Sequence, residues 1–481
     1  MKRVYKVLVV GVGNMGSAHA RAYTKIDQFE LVGLVARTPE RRKKLSLELG
    51  NIKEYDNFDI ALKDSKPDVV SINTYTESHK EYAIKSLKSG AHIFIEKPLA
   101  ENIEDAEEII NEAKNQTGLS NFGNPLFLEG FEVLIKSINQ EADLNEIGLG
   151  AQQQRLTGIL INLLRIEEAF DKNPEILSEE IESPVVIVGL PRTGSTMTHR
   201  LLASDPNHTA MLWWEGRYPA MLEGESRGNP INRMEMGKAE VEAVMQASPD
   251  ALTIHPWDYK GADEEILLLE HTFFSTVPES FMRLPTYSKW VESQDHIHAY
   301  SQLKRMLQYL QWQNPGRENK RWVLKSPHHL GFIDKLLLIF PDSKVIQTHR
   351  DPHKTVPSFC SMCANLFEPI SNSYDKNEIG HHWAHKLAKV LNHCMNVSNA
   401  NKENFLNLEF NKMIKDPILE MTEVYEFIGE DFTDQAENAM NAWKEENQHE
   451  MGAHQYSLEE FGLAKSFIED NFNEYINQYI K

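Results

Sequence analysis

Short apolar runs rich in β-branched residues alternate with helix-forming segments over the first 120 residues. The runs read VYKVLVV, FELVGLVAR, DVVSINTY and HIFIEKP, at residues 4–10, 29–37, 68–75 and 92–98. Between them we expect helices at about 39–49 and 59–64 and a short strand near 52–55. Strands that alternate with helices in this way predict a parallel, doubly wound α/β sheet.

The pattern changes after residue 115. The segment NQTGLSNFGNPLFLEG, residues 115–130, combines Gly, Asn, Ser and Pro, which are typical of turns and loops. Residues 125–170 then carry apolar positions at three- and four-residue spacing, which predicts helices, and an apolar strand follows at 185–188. We therefore expect two domains, 1–120 and 121–481, the second with a helical lead-in over 125–180 and an α/β core from residue 184.

Composition narrows the possible functions. The formal net charge is −21, which argues against binding to nucleic acid backbones, so any anionic ligand needs a local cluster of basic residues. The chain contains no run of about 18 apolar residues, so no membrane span is expected. The basic pair and apolar run at the start resemble a signal peptide, but the run leads directly into a glycine motif, and we interpret it as a buried first strand.

The cysteines indicate a reducing compartment. There are three, Cys360, Cys363 and Cys394, too few for a disulfide framework, so we expect a cytoplasmic protein. Cys360 and Cys363 form a C-x-x-C without a second pair nearby. We interpret them as ordinary residues on one helix turn rather than as a metal or redox site.

A glycine motif follows the first apolar run. Gly11, Gly13 and Gly16 form G-x-G-x-x-G between a strand and a helix. The first glycine allows the turn, the second lets the backbone approach a pyrophosphate, and the third lets helix and strand pack closely. At the end of the second strand, Arg37 stands where NAD-binding proteins usually place an acid, which favours NADP over NAD. The alternative is that the neighbouring Arg41 and Arg42 only decorate a solvated helix face.

Residues 1–118 resemble the N-terminal domain of the glucose-fructose oxidoreductase, inositol dehydrogenase and MocA family. The segments that carry the resemblance are GVGNMGSAHARAY, TYTESHKEYAIKSLKSGAHIFIEKPLA and EDAEEIINEAK. The resemblance implies that the Glu96-Lys97-Pro98 segment lies beside a nicotinamide, and this sequence has Tyr75 where the family usually has proline. The residues expected to bind NAD or NADP are Gly11, Gly13, Asn14, Met15, Gly16, Arg37, Thr74, Glu96 and Lys97.

The sequence departs from that family after residue 118. The family continues with a second α/β domain that bears the substrate pocket and a catalytic histidine, and nothing here resembles it. The resemblance therefore supports dinucleotide binding better than dehydrogenase activity.

A second glycine loop lies in VVIVGLPRTGSTMTHRLL, residues 185–202. The spacing from Gly189 to Gly194 is that of an ATP-binding loop, but Ser195 stands where the lysine would be, and the positive charge lies earlier, at Arg192. Without that lysine and without a clear acid to hold Mg²⁺, ATP hydrolysis is poorly supported. The loop suits a 5′-phosphosulfate. Farther on, Arg350 ends an apolar strand and Ser358 follows in the next helix, and together they can grip a second phosphate.

These two motifs, in this order, resemble the bacterial sulfotransferases that use 3′-phosphoadenylyl sulfate (PAPS). The resemblance covers 121–481 and includes RWVLKSPHHLGFIDKLLLIFPDSKVIQTHRDP, NFLNLEFNKMIKDPILEMTEVYEFIG and the tail HQYSLEEFGL. It implies an α/β fold in which an N-terminal Rossmann parallel sheet is fused to a P-loop-like α/β sulfotransferase domain. The residues expected to bind PAPS are Arg192, Thr193, Gly194, Ser195, Thr196, Arg350 and Ser358.

Sulfuryl transfer needs a base for the acceptor hydroxyl and cations for the leaving phosphate. The candidates for the base are His255, Glu264 and Glu265, although two acids that open an apolar helix also suit its dipole, and His255 suits a packed loop. Lys325, at the end of an apolar strand, is the candidate cation. His381 and His385 lie one helix turn apart but lack a third ligand, so we expect a helix face rather than a metal site.

The acceptor and the role of the fusion stay open at this point. Segments rich in aromatics and Met, TAMLWWEGRYPAM and YSQLKRMLQYLQWQ, suit either a pocket for a small apolar alcohol or the core. Three hypotheses follow: a sulfotransferase fused to a dinucleotide-binding module, a bifunctional oxidoreductase and sulfotransferase, or a nucleotide-sensing scaffold. A homo-oligomer is possible.

Overall fold

The computed structural model describes residues 4–75, 78–95, 106–247, 257–447 and 456–480. The chain divides into two compact units. The first comprises Met1–Glu104 with Asn145–Gln154, and the second comprises Asp105–Leu144 with Arg155–Lys481. We describe each unit by itself.

The first unit is built around a parallel sheet. Its described strands are β1 Tyr5–Val10, β2 Phe29–Val35, β3 Glu54–Tyr55, β4 Val69–Ile72 and β5 His92–Ile95, and its described helices are α1 Asn14–Tyr23, α2 Pro39–Glu48, α3 Phe58–Ser65 and α4 His79–Lys88. The strands lie in the order β3-β2-β1-β4-β5, and each neighbouring pair is parallel. The chain reverses its direction of winding between β1 and β4, and in such sheets ligands bind at the carboxyl ends of these strands.

The second unit contains a second parallel sheet. Its described strands are β6 Val185–Gly189, β7 His208–Thr209, β8 Arg321–Lys325, β9 Lys344–His349 and β10 Phe405–Glu409. They lie in the order β10-β9-β6-β8-β7 with parallel pairing throughout. Strand β6, which leads into the second glycine loop, is therefore central, with β9 and β8 on either side.

Helices cover this sheet, and two of them come from the predicted helical lead-in. The described α-helices are α5 Ala106–Thr117, α6 Phe127–Glu141, α7 Glu146–Lys172, α8 Ser195–Ser204, α9 Trp213–Arg217, α10 Ile231–Ala247, α11 Ile266–Leu269, α12 Pro285–Ser293, α13 Ile297–Gln313, α14 Ile333–Ile339, α15 Pro352–Phe367, α16 Lys376–Ala400, α17 Phe410–Lys415, α18 Pro417–Ile428, α19 Asp434–Glu446, α20 Lys465–Asn471 and α21 Asn473–Tyr479. The short 3₁₀ helices are Pro174–Ser178, Glu270–Thr272, Pro278–Ser280, Pro315–Arg317, Pro327–Gly331, Lys402–Asn404 and Glu459–Phe461.

Alternate residues of the central strands face two separate cores. On β6, Val186 and Val188 join the larger core, which includes buried residues of α13, α15 and α16, whereas Val185 and Ile187 join the core formed with α8, α18 and α19. A strand that is buried on both faces reads as a continuous apolar run, as this one does. The predicted α/β fold with two parallel sheets is confirmed. None of the helices in the described ranges is long and apolar enough to cross a membrane.

Candidate functional site

The glycine turn of the first unit is tightly fitted at two positions and open at the third. Gly11 has a φ of +87°, and a Cβ there would lie 2.2 Å from the carbonyl oxygen of Asn73, at the end of β4. A Cβ on Gly16 would lie 1.9 Å from the carbonyl oxygen of Gly11, so α1 packs directly on the turn. A Cβ on Gly13 would meet nothing within 4 Å. The backbone at Gly13 is therefore accessible to a ligand, whereas the other two glycines serve the turn and the packing of the helix.

Asn14, Met15 and Thr74 lie at the same edge of the sheet. Asn14 and Met15 open α1, and the Met15 side chain is exposed. The Thr74 hydroxyl is hydrogen-bonded to that of Ser78 at 2.7 Å. Glu96 and Lys97 fall outside the described residues.

The end of β2 carries one exposed arginine. Arg37 lines an open depression of about 580 Å³ together with Tyr75, Ser78 and Glu81. Arg42 differs from the expected solvated residue, because its guanidinium donates to Glu54 Oε2 at 3.2 Å and to the carbonyl oxygen of Ala36. Arg42 therefore ties α2 to β2 and β3, and Arg37 is left facing the depression.

In the second unit, three strand ends meet around the loop that follows β6. Gly189 ends β6 and pairs in register with Thr348 of β9, and Ile187 pairs with Lys325 at the end of β8. Arg350 follows β9 directly. Parallel strands bring their carboxyl ends to one edge, so the loop becomes a neighbour of the lysine and the arginine, which both lie more than 130 residues after it in the sequence.

The loop itself is held by its own hydroxyl groups. The Thr193 side chain is buried, and its hydroxyl donates to the carbonyl oxygen of Leu190 at 2.7 Å and lies 2.6 Å from the Thr348 hydroxyl. A Cβ on Gly189 would lie 2.2 Å from that same Thr348 oxygen. Thr193 was expected to offer its hydroxyl to a ligand, but in this structure the hydroxyl stabilises the loop. Ser195 is also buried, whereas Thr196 is half-buried in the first turn of α8.

Arg192 adopts a left-handed backbone conformation, with φ at +70°. A residue with a side chain pays about 1 kcal/mol or more for this conformation. Two contacts hold the residue there: Arg350 Nη1 donates to the carbonyl oxygen of Arg192 at 2.8 Å, and Arg192 Nε donates to Ser358 Oγ at 3.3 Å. The two predicted anion-binding motifs therefore form one hydrogen-bonded unit.

Arg350 lies over an aromatic ring. Its guanidinium carbon is 3.9 Å from the centroid of the Phe410 ring, which follows β10. The same ring would be 3.1 Å from a Cβ on Gly194. Burial lowers the pKa of Arg350 below its ordinary value, and Arg192 acts in the same direction. An anion at this position would relieve the repulsion between the two arginines.

Lys325 reaches the first turn of α8 from the neighbouring strand. Its side chain is 2% exposed, and Nζ donates to Glu264 Oε1 at 2.5 Å and to Thr196 Oγ1 at 3.3 Å. Its side chain lies on the same face of β8 as that of Val323, which packs in the core shared with α8. The ammonium of Lys325 therefore lies beside the first turn of α8, although the loop itself has no lysine at position 195.

The two adjacent acids have different surroundings. Glu264 is partly exposed, at 23%, and binds the Lys325 ammonium. Glu265 is 1% exposed. Glu265 Oε2 accepts from the backbone N–H of Lys325 at 2.9 Å, and Oε1 is paired with His329 Nε2, whose Nδ1 lies 2.7 Å from the Tyr300 hydroxyl. Burial works to raise the pKa of Glu265, but His329 and the Lys325 N–H outweigh it and hold that pKa below its usual range.

His328, His381 and His385 take structural positions. His255 falls outside the described residues. His328 is buried, with Nδ1 3.1 Å from the Thr276 hydroxyl, and burial holds its pKa well below the ordinary value. His381 and His385 lie on α16 and both pack against the Phe467 ring.

Aromatic and sulfur-bearing candidates belong to the interior. Trp213 and Trp214, from one of the aromatic segments, are buried in a cluster with Val241, and most of α13 is buried in the larger core. All three cysteines are buried, and burial raises the pKa of Cys360 and of Cys394 to about 12. These segments therefore do not identify an acceptor pocket.

The structure gives roles at the site to residues that the sequence analysis did not list as site residues. They are Thr348, which locks the loop, Phe410, which underlies Arg350, and the pair Tyr300 and His329, which fixes Glu265. Thr348, Phe410 and His329 lie in segments that carry the resemblance to sulfotransferases, and Tyr300 lies in one of the aromatic segments, but none of these segments indicated the contacts.

Comparisons with known proteins agree with this geometry. Residues 184–434, just over half of the chain, match the model of the family described as the sulfotransferase family. The crystal structure of sulfotransferase STF9 from Mycobacterium avium superposes with a TM-score of 0.72 at 26% identity, over 79% of this chain and 98% of that one. For sulfotransferase STF1 from Mycobacterium tuberculosis the TM-score is 0.68 at 27% identity, over 78% and 99%.

The first unit matches a different group. Residues 5–121 match the model described as the oxidoreductase family, NAD-binding Rossmann fold. Myo-inositol 2-dehydrogenase from Thermotoga maritima is 30% identical over 109 residues, 23% of this chain and 33% of that protein. UDP-N-acetylglucosamine 3-dehydrogenase from Acidithiobacillus ferrooxidans is 33% identical over 108 residues. The chain spans about a third of the length of these relatives.

The second unit is thus a parallel α/β domain in which a glycine loop that bears an arginine links the central strand to a helix. The chain belongs to the sulfotransferase family, and its sulfotransferase domain is fused to an oxidoreductase-type NAD-binding domain.

Proposed function

We propose that the second unit transfers a sulfuryl group from PAPS to a hydroxyl of a small, apolar acceptor. The observation that carries the proposal is the convergence of Arg192, Lys325 and Arg350 on the start of α8, with Glu264 beside the lysine. In a chain with a net charge of −21, such a local group of cations is the feature that an anionic donor needs.

We assign the two ends of the donor to the two motifs. The 5′-phosphosulfate lies at the loop and the N-terminus of α8, where Arg192, Gly194, Ser195 and Thr196 offer backbone N–H groups and side-chain donors. The 3′-phosphate is held by Arg350 and Ser358. The loop lacks the lysine that an ATPase loop carries, and Lys325 instead lies to one side, near Thr196. This arrangement supports the assignment of a phosphosulfate to the loop.

Glu264 is the best candidate for the base. Its carboxylate is partly exposed and adjoins the cation, whereas both oxygens of Glu265 are engaged by buried partners. In the proposed step the acceptor oxygen attacks sulfur and transfers its proton to Glu264. The bond between sulfur and the bridging phosphate oxygen breaks, and the electron pair leaves with adenosine 3′,5′-bisphosphate. Lys325 and the α8 N-terminus stabilise the charge that develops on that oxygen.

The donor site is tested by calorimetric titration of the full chain with adenosine 3′,5′-bisphosphate. We expect micromolar binding that is lost in Arg350→Ala. Arg283→Ala, which removes an exposed arginine paired with Glu378, is the matched control and should bind normally. Absence of binding to the wild-type chain would rule out the proposed donor. A screen of small alcohols and phenols with PAPS then identifies the acceptor.

We further infer that the first unit binds NADP in preference to NAD. The residues present fit a dinucleotide, because the open face of Gly13 leaves room for a pyrophosphate and Arg37 faces a depression at the end of β2. NADPH fluorescence on binding is the test, with NADH as the competitor. Equal affinity for the two, or unchanged affinity in Arg37→Ala, would contradict the preference for NADP.

We propose that this unit binds the dinucleotide without turning it over. The supporting observation is that the chain matches only about a third of the dehydrogenases it resembles, and the match ends at residue 121. The bifunctional alternative requires NADPH oxidation with a carbonyl compound, measured as loss of absorbance in the presence of candidate acceptors.

A further inference from the structure

A tyrosine near the end of the chain contacts the turn that presents Arg350. Strand β9 ends at His349, and α15 begins at Pro352, so the main chain of Arg350 lies beyond the sheet and before the helix. The Tyr475 hydroxyl accepts from the backbone N–H of Arg350 at 3.3 Å and lies 3.5 Å from its carbonyl oxygen. The same hydroxyl is 3.2 Å from His349 Nδ1.

These contacts define one consistent pattern of donors and acceptors. His349 Nε2 lies 2.8 Å from Asn407 Oδ1, which only accepts, so Nε2 carries the proton of the neutral ring. His349 Nδ1 is then an acceptor for the Tyr475 O–H, and the Tyr475 oxygen is free to accept the N–H of Arg350. Burial lowers the pKa of His349 to about 4, so this neutral form persists at physiological pH.

The tyrosine reaches the turn from the side of the larger core. The His349 side chain packs with Tyr475 and Tyr479 on the side of the larger core, whereas Thr348 contacts the loop from the other side. Tyr475 is fully buried. It lies on α21, beyond residue 434, where the family match ends. Its ring therefore acts on the site through the main chain of Arg350.

We propose that Tyr475 is a positioning residue for the donor site, which fixes the main chain of Arg350 so that its guanidinium meets the 3′-phosphate. The inference rests on the proposed role of Arg350 in binding that phosphate. The guanidinium also holds the left-handed Arg192 through its carbonyl oxygen. A hydrogen-bonded line thus runs from the C-terminal helix to Arg350, and affinity for the 3′-phosphate follows from the preorganisation of that residue.

The test compares two tyrosines on the same helix. Tyr475→Phe removes the hydroxyl that contacts Arg350. Tyr479 lies one helix turn after Tyr475, and Tyr479→Phe is the matched control. It removes a hydroxyl whose contacts include Gln478 and keeps the ring that stacks on His349. Each full-length variant is titrated calorimetrically with adenosine 3′,5′-bisphosphate and with adenosine 5′-phosphate, which lacks the 3′-phosphate. Thermal denaturation establishes that each variant is folded.

We expect Tyr475→Phe to weaken binding of the bisphosphate by about 5- to 10-fold, the loss of one hydrogen bond, and to leave binding of the monophosphate within about twofold. Tyr479→Phe should bind both as the wild type does. Equal weakening for both nucleotides, or no weakening, would overturn the inference. Failure of the wild-type chain to bind the bisphosphate would instead overturn the proposed donor.

A second variant covers the case in which Tyr475→Phe does not fold. Asn407 is exposed, so Asn407→Ala removes the partner of His349 Nε2 with little effect on packing. A loss of about twofold or more for the bisphosphate alone supports the inference, because a weaker His349 contact loosens the Tyr475 hydroxyl. Unchanged affinity in this variant would overturn it.

Discussion

Lys325 and Glu264 form an ion pair whose two members come from different elements. The lysine ends β8, the acid precedes α11, and their contact of 2.5 Å places opposite charges beside the first turn of α8. A buried lysine needs such a partner, because an unpaired charge in the interior is costly. An anion at the proposed donor site would give the ammonium a second negative group within its reach.

Substitution of Glu264 separates chemistry from binding. Glu264→Gln removes the proposed base and keeps the size of the side chain, so we expect the transfer rate to fall by about 10²- to 10⁴-fold. The affinity for adenosine 3′,5′-bisphosphate should change by less than about threefold. Transfer is measured as the release of this product from PAPS with an acceptor found by the screen.

Glu265→Gln is the contrasting variant. Because Glu265 is buried against His329 and the Lys325 N–H, its loss should lower the thermal midpoint strongly. Glu264→Gln should lower the midpoint less, because the amide oxygen still accepts a hydrogen bond from Lys325, although the ammonium loses its charged partner. Near-normal transfer by Glu264→Gln would show that another group, such as His255, is the base.

At the scale of elements, both sheets use the same arrangement of strand, glycine turn and helix. In the first unit, Gly16 brings α1 against the turn at Gly11, and Gly13 leaves the turn open. In the second, Thr348 and Thr193 fill the corresponding space with hydrogen-bonded hydroxyls. The first arrangement leaves bare backbone for a pyrophosphate, and the second adds side chains and charge.

Two alanine substitutions in the glycine turn of the first unit should separate stability from NADPH binding. Gly16→Ala places a Cβ 1.9 Å from the Gly11 carbonyl oxygen and should destabilise the first unit by about 3 kcal/mol or more. Gly13→Ala meets no protein atom within 4 Å and should fold normally but lose most of its NADPH affinity. Urea denaturation and NADPH fluorescence measure the two effects. Normal NADPH binding by Gly13→Ala would contradict the assigned site.

The sequence predicts these elements well because their signals are local. The strand of β6, its loop and the start of α8 are contiguous, and the structure places Arg192 and Ser195 where the spacing implied. The contacts that complete the site join distant residues: Thr193 with Thr348, Lys325 with Glu264, and Tyr475 with Arg350. Nothing in the pattern of one segment indicates which side chain of another segment will meet it, so these partners required the structure.

At the scale of the whole molecule, buried histidines make stability depend on pH. Burial lowers the pKa of His199, His271, His296 and His349 to about 4 in each case. In the unfolded chain each would titrate near its ordinary value of 6.5. Between these values the unfolded state binds more protons, so the free energy of unfolding falls as the pH falls from about 6.5 toward 4.

We expect this loss of stability to appear at pH values above those at which the carboxylates titrate. Glu279 and Glu430, whose folded pKa values are about 2, lose their contribution only as the pH drops below about 4.5. Each histidine contributes a slope of up to about 1.4 kcal/mol per pH unit. Urea denaturation between pH 7.5 and 5 measures it. His271→Gln should flatten the dependence of the free energy of unfolding on pH, and substitution of the exposed His381 by Gln should not. Equal slopes for the two variants would contradict the assignment of this dependence to buried histidines.

The burial of the three cysteines makes their reaction with thiol reagents a measure of local opening in the second unit. Thiolates are the form that alkylating reagents attack, and Cys360, Cys363 and Cys394 are buried with pKa values raised by burial. A thiol reagent can modify them only when α15 or α16 opens, so the rate of labelling counts openings of the second unit. Because α15 carries Ser358 and begins directly after Asp351, a nucleotide bound at this edge of the sheet should slow the labelling of the cysteines. The labelling rate would then report occupancy of the donor site without any acceptor present.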